Sequence, residues 1–373
     1  MNPLDRRPLK VALVAPSLGI LGGQAVQADR LLTGWRNDAD VDAWLVPINP
    51  QLPGVAGGLQ RVKYVRTIVT QMAYWPELMR ELRRADVVHI FSASYFSFVL
   101  SPWPAVRVAR ALSKPIVFNY HSGEAPDHLR RSPLARRTLR DSEVNVVPSR
   151  FLREVFEHFG LSARVIPNHI DLDRFRYRER RILRPRLLST RNFEPLYNVA
   201  CTLRAFRLVQ ARVPEATLTL VGSGSQEQAL RALASELGLR GVTFAGRLSP
   251  DDMPGAYADA DVYVQTPRVD NMPISVLEAF ASGTPVVSTR VGGVPAMLTD
   301  GTHGSLVADD DHEAMADAVL RLLDDPARAS RVAAQAHAAC TDYTWDATRS
   351  MWLDAYRAAL LRAEATVAPV HAL

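Results

Sequence analysis

Residues 266–293, TPRVDNMPISVLEAFASGTPVVSTRVGG, set two carboxylates, Asp270 and Glu278, on either side of a turn and a helix start, ahead of a glycine and a hydrophobic strand. An acidic pair in that setting suits the hydroxyls of a bound sugar nucleotide, and backbone N–H groups at a helix start suit its phosphates. With a helix beginning near Pro273 or Ile274, Glu278 falls about one turn inside it and Asp270 in the preceding loop, so the two need not share a face. Pro273 removes one N–H donor but is well tolerated in a first turn. The same residues also fit a structural reading, in which Asp270 caps the turn and Glu278 pairs with an arginine.

Other residues could add chemistry. His121, in IVFNYHSGEAPDHL, directly follows a strand, where an imidazole of near-neutral pKa can donate to a reacting oxygen or orient it. A satisfied structural histidine is the commoner occupant of such a position. His89, inside VVHIF, reads as a packing residue, and His128 and His158 show no ligand spacing with each other or with His121, so no metal site is expected. Gly19, Gly22 and Gly23 form a loop after the first strand that allows close backbone approach to a ligand, although PSLGILGGQA is not the GxGxxG fingerprint. A second glycine loop, VGSGS with Gly222, either faces a nucleotide or merely turns the chain.

Holding these residues together requires an alternating scaffold, and the hydrophobic pattern supplies one. Strand-like runs at 10–17, 41–48, 87–91, 116–120, 144–147 and 164–166 are separated by helical periodicity at 25–35, 74–84, 103–112 and 151–159. The rhythm restarts after an arginine-rich stretch, with strands at 187–190, 217–221, 242–245, 262–264 and 286–289 and helices at 199–210 and 226–237. In the first of those helices Val199, Leu203, Phe206 and Val209 form one stripe. The expected class is α/β: two parallel-sheet units in series, divided as 1–170 and 171–345, with a terminal helix over 346–373 anchored by Trp345, Trp352 and Tyr356. Ligands of such units sit outside the C-terminal strand ends, here in a cleft between the two.

Composition narrows the classes further. The chain has 373 residues, 47% of them hydrophobic, enough for two domains or one large α/β barrel. No run of 18 apolar residues occurs and the N-terminus leads straight into a strand, so a cytoplasmic protein is expected. Cys201 and Cys340 are too few for a disulfide framework and read as inert thiols. Between Arg130 and Arg191 there are 16 arginines against 7 acids. Such a belt suits an anionic membrane surface, a lipid-linked phosphate acceptor or nucleic acid, and equally a solvated face. Nucleic acid is disfavoured because no zinc finger, RNP-type strand or helix-turn-helix signature accompanies it.

One ordered series of segments is more specific than any of its members. It comprises the Gly22–Gly23 loop, YHSG with His121, VVPSRFLREVF, VIPNHIDLDRF, TLVGSGS, VTFAGRLSPDDMPGAYADADVYVQTP, the acid pair with EAFASGTPVVSTRVGG, and the tryptophan-bearing terminal helix. In this series the chain resembles the retaining glycosyltransferases of family 4, which have two Rossmann-like domains facing across a cleft in the GT-B arrangement. The resemblance implies an acceptor-side first domain, a second domain that binds the nucleotide sugar, and a terminal helix that packs back towards the first. It gives Glu278 to the nucleotide ribose, His121 to the donor sugar, Asp270 to sugar-hydroxyl binding or loop positioning, and Arg191 to the diphosphate. Gly22, Gly23, Gly222, Arg268, Asn271, Met272, Pro273 and Ile274 follow as donor-binding positions.

The chain departs from the family pattern in several places. The lysine that normally follows the arginine by about five residues is Leu196 here, and Lys10, Lys63 and Lys114 are the only lysines. Asn198 and Arg268 are the candidate replacements, arginine keeping the charge with a different fork and reach. Asp270 replaces a commoner glutamate, DNMP replaces EGFG, and His169 replaces the hinge glycine of PNG(V/I)D. The implied reaction moves a sugar from a UDP- or GDP-linked donor to a hydroxyl acceptor with retention, using no metal and no further cofactor. A lipid-linked or oligosaccharide acceptor, shaped by Tyr95, Phe96, Trp103 and residues 122–131, would account for the basic belt and a peripheral membrane habit. Aromatics in such a region are more often core. Three alternatives stand beside this reading: a catalytically weakened assembly or regulatory subunit, a sugar-nucleotide epimerase, and a membrane- or nucleic-acid-binding module.

Overall fold

A computed structural model of the chain describes residues 7–19, 23–53, 60, 62 and 65–367. These residues divide into two compact units. The first takes the chain up to Pro167 together with the residues from Thr348 onward, and the second runs Asn168–Ala347.

In the first unit, strands β1 (Leu9–Ala15), β2 (Val41–Pro47), β3 (Val87–Phe91), β4 (Ile116–Asn119), β5 (Val144–Val147) and β6 (Arg164–Val165) form one parallel sheet in the order β2-β1-β3-β4-β5-β6. Residues 11–15 and 87–91 are buried throughout, because a parallel strand covered by helices on both faces has no solvent side. Helices α1 (Gly23–Gly34), α2 (Val65–Leu82), α3 (Phe96–Leu100), α4 (Pro102–Ala111), α5 (Ala125–Arg131), α6 (Pro133–Arg140) and α7 (Arg150–His158) lie between the strands. Helix α2 starts nine residues before the expected 74. Its C-terminal half buries Tyr74, Leu78 and Leu82, whereas its first two turns point Val65, Ile68 and Met72 to solvent, so no core-facing period marked them in the sequence.

The second unit is a parallel sheet of β7 (Arg186–Ser189), β8 (Thr217–Val221), β9 (Val242–Gly246), β10 (Val262–Gln265), β11 (Val286–Thr289) and β12 (Ser305–Val307), in the order β12-β11-β10-β7-β8-β9. Its helices are α8 (Val199–Arg212), α9 (Glu227–Glu236), α10 (Met253–Asp259), α11 (Ile274–Ala281), α12 (Val294–Met297), α13 (His312–Asp324) and α14 (Pro326–Ala339). The stripe Val199, Leu203, Phe206 and Val209 of α8 is buried on the sheet. Strand order reverses between β7 and β10, whose register pairs Leu187 with Val262. At such a switch point the loops leaving the two strands diverge and open a crevice at their C-terminal ends. Helix α11 is buried from Ser275 through Ala281, so its position behind that crevice is fixed by packing on every side.

The terminal helix α15 (Trp345–Val367) gives its residues from Thr348 onward to the first unit. Arg349 donates to Asp38 through Nε (2.7 Å) and Nη2 (2.8 Å) and to Asp40 (2.6 Å). Hydrogen bonding from Arg349 holds the Asp38 carboxyl below its usual range. Tyr356 is fully buried beside Trp35.

The arginines of the belt are divided between the two units. Arg130 and Arg131 pair with Asp127 in the first unit. In the second, Arg178, Arg184 and Arg186 all reach the buried carboxylate of Asp261, at 2.7, 3.2 and 3.1 Å. Arg180 is entirely buried beside them and donates to the backbone oxygens of Tyr257, Ala260, Arg178 and Ser282. Burial, then repulsion from Arg178, brings its pKa down to about 10, still fully charged at neutral pH. These side chains fasten the 178–186 segment to the start of β10 and the end of α11.

Candidate active site

Arg191 stands two residues beyond β7, in the loop leaving one strand of the switch point, and Asp270 lies in the loop leaving the other. Their ion pair spans 2.6 Å between Nη2 and Oδ2, with both side chains nearly buried. Nη1 donates to Ser275 Oγ at 3.1 Å in the first turn of α11, and the guanidinium lies 4.1 Å from the centre of the Tyr197 ring. Burial by itself would lower the Arg191 pKa, but Asp270 and the hydroxyls of Tyr197, Tyr263 and Tyr257 outweigh it and hold the group above its ordinary value. The result is a permanent cation fixed from three directions. A charge placed that way needs no rearrangement when negative charge develops beside it.

A buried polar network supports it. Ser275 Oγ donates to Gln265 Oε1 (3.2 Å), and Gln265 Nε2 donates to Ser288 Oγ (2.9 Å). Tyr257 donates to the Ser275 carbonyl at 3.0 Å, and its hydroxyl lies 2.9 Å from Thr190 Oγ1. Burial, then the neighbouring Glu278 carboxylate, drives the Tyr257 phenol well above its usual pKa, so it remains a neutral hydrogen-bonding group. Glu278 is itself buried, one turn into α11 as the spacing predicts.

The loop between β10 and α11 is shaped by glycine elsewhere. A Cβ on Gly293 would lie 2.1 Å from the Asn271 carbonyl oxygen, so only glycine lets the two loops meet, and Gly293 N–H donates to the Asp270 carbonyl at 3.2 Å. Asp270 Oδ1 accepts from the Asn271 N–H at 2.8 Å, which orients the carboxylate towards Arg191. Gly222 has φ +151°, and a Cβ there would come within 2.5 Å of the Arg191 carbonyl. It therefore serves Arg191 by clearing space behind its backbone.

The remaining expected residues separate. Asn271 is buried, and Pro273 precedes α11 with its half-buried Ile274. Met272 turns its side chain into the core, where Asn168 N–H lies 3.3 Å from its sulfur and Asn168 Nδ2 donates to its carbonyl at 3.0 Å. Both candidate replacements for the missing lysine are held by one acid: Asn198 Nδ2 donates to Asp310 Oδ1 (2.9 Å), and Arg268 Nη2 donates to Asp310 Oδ2 (3.1 Å). Leu196 contributes its carbonyl oxygen, which accepts from the Arg268 N–H at 2.8 Å. Ser275, Tyr197, Gly293 and Asp310 escaped the sequence reading. A serine just after a helix-opening proline and the glycine pair at 292–293 were the available signals; nothing local marked Asp310.

In the first unit, His121 follows β4 and its N–H donates to Ser92 Oγ at 2.9 Å, at the end of β3. Its ring stacks on Phe91 (5.4 Å, 8°), which stacks in turn on His89 (5.1 Å, 8°). Burial pulls the His121 pKa down to about 4. At neutral pH the ring is uncharged, unlike the near-neutral titrating group expected. Its Nε2 is buried and has no hydrogen-bond partner among the described residues. His89 is locked by Asn119, which donates to Nε2 (3.1 Å), and by Tyr356 of α15 at Nδ1 (2.9 Å). Gly23 opens α1; Gly22 lies outside the described residues. Among the described residues, no group of three or more His, Cys, Asp or Glu side chains is placed to bind a metal.

Residues 21–174 match the Glycosyltransferase Family 4 pattern, and residues 184–325 match that of the Glycosyl transferases group 1. The GDP-mannose-dependent alpha-(1-6)-phosphatidylinositol monomannoside mannosyltransferase of Mycolicibacterium smegmatis is 34% identical over 262 residues, 63% of this chain and 68% of the relative. The chain is a family 4 glycosyltransferase. The family 4 sequence is also 28% identical to sulfoquinovosyl transferase SQD2 of Arabidopsis thaliana over 267 residues, 65% of this chain and 50% of that protein. Matches therefore span half to about two thirds of these relatives. In fold, the glycosyltransferase superposes on Anabaena Alr3699/HepE, solved with UDP-glucose, with a TM-score of 0.73 at 16% identity, covering 93% of this chain and 98% of that one. The fold class is thus GT-B, built from two Rossmann-like units.

Proposed function

We propose that this glycosyltransferase moves a sugar from a nucleoside diphosphate, UDP- or GDP-linked, to a hydroxyl acceptor with the anomeric configuration retained. The observation that carries the reading is Arg191, fixed at the switch point of the second sheet by Asp270, Ser275 and Tyr197. As the bond from sugar to diphosphate breaks, negative charge grows on the leaving phosphate oxygen, and a preorganised guanidinium stabilises it. That oxygen then accepts the proton of the attacking acceptor hydroxyl, so no separate base is required. The start of α11, with Asn271, Met272, Pro273 and Ile274, offers backbone to the diphosphate, and Glu278 takes the ribose. Asp270 and the neutral His121 bind sugar hydroxyls, with Gly22 and Gly23 giving close backbone approach and Gly222 leaving room for the Arg191 backbone.

The second unit is assigned the donor and the first the acceptor. A GDP-mannose-dependent relative and a fold neighbour solved with UDP-glucose support a nucleotide sugar and leave both bases in play. The phosphatidylinositol in that relative's name supports a lipid-linked acceptor in glycolipid or polysaccharide synthesis at the cytoplasmic face of a membrane. No described helix is long and apolar enough to cross a membrane.

Mass spectrometry of nucleotide sugars that copurify with the protein, followed by transfer assays over a donor and acceptor panel, tests this. A bound nucleotide sugar and transfer that falls at least about 100-fold in Arg191→Ala are expected. Absence of both nucleotide-sugar binding and transfer sinks the proposal. Binding without transfer would favour the second reading, an assembly or regulatory subunit, which is motivated by Asp310 engaging both Arg268 and Asn198 in place of a free lysine.

A further inference from the structure

Helix α2 is apolar on both sides. Tyr74, Leu78 and Leu82 face the core with no exposure, while Val65, Ile68, Met72 and Trp75, at spacings of three, four and three, line the outer face. Ile68 is 64% exposed and Met72 73%. Gln71 Nε2 donates to the Leu100 carbonyl (2.9 Å) and Tyr74 to the Ser101 carbonyl (3.1 Å), which fastens α2 to the end of α3. There Phe98 is buried, but Phe96 is 71% and Val99 40% exposed. The sequence left Phe96 between the acceptor site and the core; it is on the surface because α3 is a single short turn whose one buried side chain is Phe98. A surface of this kind on one unit marks an interaction site, since isolated exposed apolar residues need no explanation but a stripe does.

Charge selects the partner. From residue 61 to 76 the sequence carries Arg61, Lys63 and Arg66 and no acid. Beyond α3, Tyr95 donates to Asp127 (2.9 Å), and the exposed Arg130 and Arg131 gather on that same carboxylate. A second copy meeting the stripe would bring like charge against like charge, whereas an anionic bilayer offers acyl chains to the stripe and headgroup phosphates to its rim. Helix α2 follows β2 and α3 follows β3, so both begin at the C-terminal end of the first sheet, the same end at which His121 stands.

We infer that the outer faces of α2 and α3 form a docking surface for an anionic lipid bilayer, with Ile68, Met72, Trp75 and Phe96 entering the interface and Arg66 at its edge. This deepens the lipid-acceptor reading and joins the start of the arginine belt, at Arg130 and Arg131, to an apolar surface as the source of membrane affinity. It rests on that reading only for its purpose, because lipid binding is measured without turnover. Cosedimentation of the full chain with phosphatidylcholine vesicles, with and without phosphatidylglycerol, tests it at low and high salt. Binding is expected to the anionic vesicles only, to fall with salt, and to drop at least about tenfold in Ile68→Glu/Met72→Glu with an unchanged melting temperature. Leu208→Glu, an exposed apolar position in the second unit, should bind as the parent does. Equal binding by the double variant, no binding by the parent, or a dimer abolished by the same substitutions without lipid binding would each overturn the inference. Transfer to a soluble acceptor should persist in the double variant, so loss of docking and loss of transferase activity are separable.

Discussion

Replacing Asp270 with asparagine puts the Arg191 cation to a quantitative test. The Asp270 carboxylate uses Oδ1 to accept from the Asn271 N–H and Oδ2 to accept from Arg191 Nη2. An amide can keep only one of these. With its oxygen on Asn271 it points N–H groups at a guanidinium that has only donors, and flipped it leaves Asn271 without an acceptor. Both partners are nearly buried, so the uncompensated cation should cost about 3 kcal/mol of folding stability, the lower end for a broken buried pair. In Arg191→Met the converse holds: Asp270 loses its counterion while methionine keeps most of the volume. The double variant Arg191→Met/Asp270→Asn removes both charges of the pair and should recover about 2 kcal/mol relative to the sum of the singles. Activity should not follow. With the cation gone, turnover should stay about 100- to 1,000-fold down in the double variant as in Arg191→Met, because transition-state charge is then unsupported. Urea denaturation at constant m-value and initial-rate kinetics on the same four proteins make the comparison. If Asp270→Asn unfolds within about 0.5 kcal/mol of the parent, the ion pair does not organise the loop. If the double variant turns over at near-parental rate, Arg191 is not the group that stabilises the leaving diphosphate.

Three further outcomes follow from the same coordinates. Gly293→Ala must displace the Asn271 carbonyl and should weaken nucleotide binding about tenfold or more by calorimetry, while Gly255→Ala, where a Cβ meets nothing within 4 Å, should not. Asp261→Asn leaves Arg178, Arg184 and Arg186 without their shared carboxylate and should lower stability by about 3 kcal/mol in urea; a neutral result would mean that solvent carries those charges. Burial sets His89 at about 3 and His121 at about 4, both below the unfolded value, so the unfolded chain binds more protons in that range. Their contribution is complete above about pH 6.5 and is lost as pH falls towards 4, by up to about 1.4 kcal/mol per pH unit for each ring. A urea midpoint that stays flat from pH 7 to pH 5 would contradict the buried neutral rings.

Several elements were legible because their information is local. Strands β3, β5, β8 and β11 fall on the expected residues, since each is a short run rich in β-branched residues set between helical stretches. The buried stripe of α8 was equally direct. Helix α2 was read short because its first turns show their apolar residues to solvent, and Phe96 was left between acceptor site and core because hydrophobicity does not reveal which side of a helix is covered. The arginines at 178–186 looked like a solvated belt because their partner, Asp261, lies some 80 positions away and is joined to them only by the β7–β10 pairing.

By itself the sequence determined the α/β class, the position of the acid pair around a helix start, and the ordered series of segments that marks a family 4 glycosyltransferase. Each of these depends on residue type and spacing along a continuous stretch. Only the tertiary structure decided that Arg191 meets Asp270 and Ser275, that Asp310 takes up both Asn198 and Arg268, and that Met272 belongs to the core. It alone turned His121 from a titrating group into a neutral one, by stacking it on Phe91 and removing part of its hydration. The physical reason is common to all of them. Charge state and hydrogen-bond partner depend on what surrounds a group in space, and in a doubly wound sheet the nearest neighbours at the switch point come from strands far apart in the chain.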